Sequence, residues 1–155
     1  MDKALTIMAI ITIALAAYAL STSQIPPASI EYREVFYTNN QSVTFITKDG
    51  VGLFTMKISP HVNSFELTIK FPEGTSYLIR YGNENYKGTN EFKVTIHKDT
   101  VPDEIYIQFQ LPQDVTKKLI YENGKVEIII KGDKIPLWHA EDVIYVKYWK
   151  EERKP

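Results

Sequence analysis

Phe65, Leu67, Ile69 and Phe71 alternate with Glu66, Thr68 and Lys70, and the same period of two returns in Phe92-Lys93-Val94-Thr95-Ile96 and in Ile105-Tyr106-Ile107-Gln108-Phe109. Successive side chains of an extended strand point to opposite faces, so this spacing sets a dry face against a wet one, whereas a helix would repeat about every 3.6 residues. Val126, Ile128 and Ile130 repeat the pattern after Asn123-Gly124. Residues 43–48, Asp49-Gly50 and residues 51–58 read as a β-hairpin, with Asp-Gly supplying the positive φ angles of a type I′ turn.

Further strands are expected over Ile30–Thr38, Ser76–Tyr81 and Asp142–Trp149, the last apolar on both faces as in the middle of a sheet. Turn residues at Pro72-Glu73-Gly74, Gly82–Gly88, Pro102-Asp103 and Gly132-Asp133 punctuate these runs. A short helix over Leu111–Ile120, capped by Asp114, is expected to cross between sheets. The pattern predicts an all-β fold, an immunoglobulin-like antiparallel β-sandwich of about nine strands.

Ahead of this region, Ala4 to Leu20 forms seventeen consecutive uncharged, mainly aliphatic positions behind Asp2-Lys3. As a helix they span about 25 Å, and continuing through Ile25 brings the length to the ~30 Å of a hydrocarbon core. The expected organisation is an N-terminal hydrophobic export or membrane helix over 1–25, a proline-containing linker over 26–29, an extracytoplasmic β-sandwich over 30–150 and a charged tail over 151–155. Lys3 against an uncharged far side favours an inside N-terminus and an outside β-domain. Ala17-Tyr18-Ala19 offers a small-x-small cleavage site before Leu20, which would instead release a secreted protein.

Lys3-Ala4 followed by Leu5 and the aliphatic run resembles the N-terminus of archaeal type IV pilins and archaellins. That resemblance implies processing between Ala4 and Leu5 and a helix that packs into a filament core. The layout of one N-terminal helix and an outer β-domain is similar to that of archaellum stator proteins, which implies an immunoglobulin-like domain outside the cell without cleavage. Abundant Ile, Tyr, Lys and Glu with little Gln is a balance also seen in thermophilic proteins.

Eighteen basic against nineteen acidic side chains leave no basic block for nucleic acid, and the absence of cysteine leaves stability to core packing. His61, His97 and His139 lie far apart without metal-ligand spacing, so no metal or other cofactor is expected. In the polar segment Gly82–Gly88, Lys87 stands where a calcium loop needs an oxygen ligand, and Asp99–Glu104 reads as a solvated connection. Nucleophile elbows, phosphate loops and metalloprotease helices are missing, so no catalytic residue is assigned and an enzyme is not expected.

Two features remain. Asn40-Gln41-Ser42 is a glycosylation sequon in an expected loop. Tyr77, Tyr81, Tyr86, Tyr106, Tyr121, Trp138, Tyr145, Tyr148 and Trp149 exceed what a core of this size must hold, and Tyr145, Tyr148 and Trp149 mark a terminal strand that could receive another chain at a sheet edge. The expected function is a structural or interaction component of a cell-surface assembly, such as a pilus or archaellum-type filament. Its partners would be the membrane and other envelope or filament proteins, or further copies of itself. The alternatives are an accessory, cofactor-free subunit of a membrane-bound, respiratory-type enzyme complex, and a carbohydrate-binding module that stacks sugars on the surplus aromatics.

Overall fold

A computed structural model describes residues 28–134 and 138–149. The hydrophobic helix, the cleavage positions Ala4, Leu5, Ala19 and Leu20, the prolines of the linker and the charged tail lie outside the described residues. Among the described residues no helix is long and apolar enough to cross a membrane.

The strands are β1 (Ala28–Arg33), β2 (Phe36–Thr38), β3 (Gln41–Ile46), β4 (Val51–Pro60), β5 (Ser64–Lys70), β6 (Ser76–Tyr81), β7 (Glu84–Thr89), β8 (Glu91–His97), β9 (Ile105–Gln110), β10 (Val126–Lys134) and β11 (Trp138–Tyr148). One helix, α1 (Gln113–Tyr121), joins β9 to β10. The all-β expectation holds, with eleven strands where about nine were expected. Ile30–Thr38 divides into β1 and β2 because Glu34 takes a φ of 65°, which breaks the extended chain. The expected turn over Gly82–Gly88 is a turn only at Gly82-Asn83, and the rest pairs with β6 as β7.

Hydrogen bonding runs through one sheet in the order β7-β6-β9-β4-β3-β11-β10-β5-β8. Among the described residues the expected antiparallel pairing has one exception, the parallel pair β3–β11. β3 and β4 share a register pair only beside their connection, at Ile46 and Gly52, and then part. β1 continues along β4, while β2 continues along β3. The sheet curls until its outer strands meet, with Tyr86 of β7 against Phe92 of β8 at 5.4 Å between ring centroids. The enclosed core includes Phe54, Met56, Leu67, Ile69, Ile107, Phe109, Ile128 and Ile144, all at or near zero exposure.

Local chemistry sets the connections. The β3–β4 turn carries hydrogen bonds from Gly50 N–H to Thr47 O (3.0 Å) and from Thr47 N–H to Val51 O (2.9 Å). Only Gly50 has positive φ there, so Asp49-Gly50 is not the expected type I′ turn; the loop is the longer kind that ends on a left-handed glycine. The two positive φ angles of a type I′ turn occur instead at Asn39 and Asn40, between β2 and β3. Asp114 does not cap α1 as expected: Pro112 is the N-cap without a side-chain bond, and Asp114 sits in the first turn, where its charge still favours the helix dipole.

Candidate functional site: a two-part outer face

β4 buries Gly52, Phe54, Met56 and Ile58 and turns Leu53 and Lys57 outward, as period two requires. Register carries the outward positions across the sheet. Leu53 lies opposite Gln108 of β9, which lies opposite Leu78 of β6. One step along, Arg33, Thr55, Tyr106, Arg80 and Asn85 form a continuous row through β1, β4, β9, β6 and β7.

Three adjoining hollows cover this face. The apolar one, about 560 Å³, is lined by Phe36, Phe45, Leu53 and Trp149, with Glu34, Thr38 and Thr44 at its margin. Phe45 meets Phe36 at 5.8 Å and the edge of Trp149 at 5.1 Å between ring centroids. A small hollow between Leu53, Leu78, Gln108 and Tyr106 leads to the third, a polar cavity of about 590 Å³ around Tyr106, Arg80, Lys57 and Arg33. Of the seven exposed large hydrophobic residues among those described, Phe36 (53%), Leu53 (49%), Leu78, Tyr106 and Trp149 (54%) belong to these linked hollows. Isolated exposed hydrophobics are ordinary, but a contiguous group marks a surface that excludes water against something else.

The polar end is ordered by an ion pair and a shared carboxylate. Arg33 Nη1 lies 3.3 Å from Glu104 Oε1, and Tyr106 donates its hydroxyl to Glu104 Oε2 at 2.8 Å. That hydrogen bond, with the charge of Glu104, holds the Tyr106 phenol above its usual range. Tyr32 also borders this cavity, packs on Phe54 at 6.4 Å, and donates to Asp142 Oδ2 at 2.6 Å. Burial first, and the Asp142 carboxylate second, push its phenol far above the ordinary value.

β11 pairs on both sides, with β3 and β10, over residues 144–146, which include Tyr145, whereas Tyr148 has its register partner in β3 alone. A two-sided apolar pattern is what such an interior strand needs. Tyr148 packs against the core, Tyr145 lies under Lys125 Nζ at 4.3 Å, and Trp149 joins the apolar hollow. Tyr77, Tyr81 and Tyr86 serve packing. The side chains of Trp138 and His139 lie outside the described residues. Asn40 is exposed in its turn. His61 Nε2 shares a hydrogen bond with Ser29 Oγ at 2.8 Å, and His97 is exposed. Among the described residues no three histidine or carboxylate side chains gather as metal ligands.

Sequence reasoning missed Phe36, Leu53 and Leu78, although Leu53 stands on the wet side of an alternating strand, where a leucine is out of pattern. Fold and face together define a β-domain with a partly exposed apolar face. Neither a protein-family model nor a curated protein matches the chain. Among solved structures it is similar to the crystal structure of Spo0M, a sporulation control protein from Bacillus subtilis, at 14% identity and a TM-score of 0.38. The match covers 81% of this chain and 51% of that one, so the chain spans about half of its length.

Proposed function

We propose that the protein is a membrane-tethered interaction component of a cell-surface assembly. Its apolar outer hollow is the docking surface, and residues 1–25 are the helix that holds an immunoglobulin-like β-domain outside the cell. The observation that carries the reading is the joining of Phe36, Leu53 and Trp149, each about half exposed, around one hollow. Burying such a group on a partner stabilises a complex by about 25 cal/mol for each Å² of apolar surface covered, before the cost of association.

Photo-crosslinking on intact cells tests this. A photoreactive residue at Leu53 or Phe36 is expected to yield one discrete adduct with an envelope protein or a second copy, and a probe at exposed Glu127 is not. Absence of an adduct, or equal adducts at all three positions, overturns the proposal. Mass determination of the native N-terminus is expected to give Met1; a start at Leu5 would mean filament processing, and a start at Leu20 would replace the tether with secretion.

A further inference from the structure

The polar cavity beside Tyr106 has a composition unlike the apolar hollow, and it calls for a different occupant. Arg33, Lys57 and Arg80 face Glu31, Asp103 and Glu104, so three cations and three carboxylates leave the lining electrically neutral. An anion drawn by the cations would meet the carboxylates, and a cation would meet the reverse. Neither gains much net attraction. A neutral molecule rich in hydroxyl groups gains from both sets, because each hydroxyl donates to a carboxylate and accepts from a guanidinium or ammonium.

The donors and acceptors are available. Within the described residues no hydrogen bond or ion pair engages the side chain of Lys57, Arg80, Asn83 or Asp103. Glu104, by contrast, is held by Arg33 and Tyr106, which fixes the centre of the cavity before anything binds. Tyr106, 43% exposed, adds an apolar ring surface of the kind that packs on the C–H face of a pyranose. The volume, about 590 Å³, falls within the range of small-molecule sites.

We propose that this cavity binds a neutral oligosaccharide, with Arg80, Asn83 and Asp103 bonding hydroxyls and Tyr106 stacking on a ring. The site adjoins the apolar docking hollow but shares no lining residue with it, and it does not depend on that hollow's partner.

A glycan array carrying neutral, uronate-containing, sialylated and sulfated oligosaccharides, probed with the full chain, tests it. Neutral glycans are expected to be retained, and Arg80→Ala and Tyr106→Ala should each weaken retention about tenfold, the first by loss of a charge-assisted contact and the second by loss of the stacking ring. Glu127→Gln, exposed on β10 away from these hollows, should leave it unchanged. Should Tyr106→Ala unfold the chain, Asp103→Ala, in the connection before β9, should weaken retention by a similar factor. The proposal is overturned by retention of no glycan, by retention of the charged glycans alone, or by retention that Arg80→Ala leaves intact.

Discussion

The Phe109 ring lies over Gly52, its partner across β4 and β9, so closely that a Cβ at Gly52 would overlap it. Phe109 also meets Phe54 at 6.2 Å and Phe71 at 5.9 Å between centroids, so it cannot yield without disturbing the centre of the core. Tyr77 covers Gly88 in the same way and donates its hydroxyl to Glu91 O at 2.8 Å. Gly52→Val is expected to cost about 2–3 kcal/mol as an overpacked core position. A lower denaturant midpoint at unchanged slope would show it. Glu34 presents the opposite case. Its φ of 65° is a left-handed conformation that costs an ordinary residue about 1–2 kcal/mol, and its carbonyl, which accepts the Thr44 hydroxyl at 2.9 Å, survives substitution. Glu34→Gly should therefore raise stability by about 1 kcal/mol, and an unchanged midpoint would show that the backbone is unstrained there.

At the scale of elements, the chain passes from β7 on one side of the curled sheet to β8 on the other through a single residue, Asn90. Asn90 has a φ of 68°, its side-chain oxygen accepts from Gly74 N–H at 2.7 Å, and its carbonyl accepts from Phe71 N–H at 2.8 Å. Asn90→Ala loses both the left-handed tolerance and the acceptor, for an expected cost of about 2–3 kcal/mol. Asn90→Gly keeps the first and should cost about half as much. Thermal unfolding of the two variants separates the contributions; equal losses would show that backbone conformation plays no part. β5, β6, β8 and β9 were legible in the sequence because each places large side chains at alternate positions on its core face. β7 was not, because Tyr86 is its one half-buried large side chain and Asn85 and Gly88 read as turn residues. The parallel contact of β3 with β11 was hidden as well, since pairing of segments about a hundred residues apart leaves no local pattern. The cavity around Tyr106 draws residues from β1, β4, β6, β9 and two connections, so no spacing in the chain marks it.

For the molecule as a whole, Tyr32 and Asp142 add a side-chain fastening to the long-range β3–β11 ladder. β1 belongs to the β4 side of the curled sheet and β11 to the β10 side, and the Tyr32 hydroxyl joins them across 110 positions of sequence. Burial and the Asp142 carboxylate keep this phenol protonated well above its ordinary value, while the unfolded chain ionises at about 10. The sign follows from proton counts. Below pH ~10 both states hold the proton and the contribution is complete; above it the unfolded state alone releases the proton, so stability falls by about 1.4 kcal/mol per pH unit from this group. Tyr32→Phe should cost about 1–2 kcal/mol at neutral pH, the net value of a hydrogen bond to a charged acceptor that stays solvated at Asp142 once released. The gap between wild type and variant should then stay constant to about pH 10 and close above it, because the variant lacks the ionisation. Urea unfolding from neutral to strongly alkaline pH measures this directly. A gap that stays constant through the alkaline range would mean that the phenol titrates alike in both states, and that burial and the Asp142 carboxylate do not hold its proton in the folded chain.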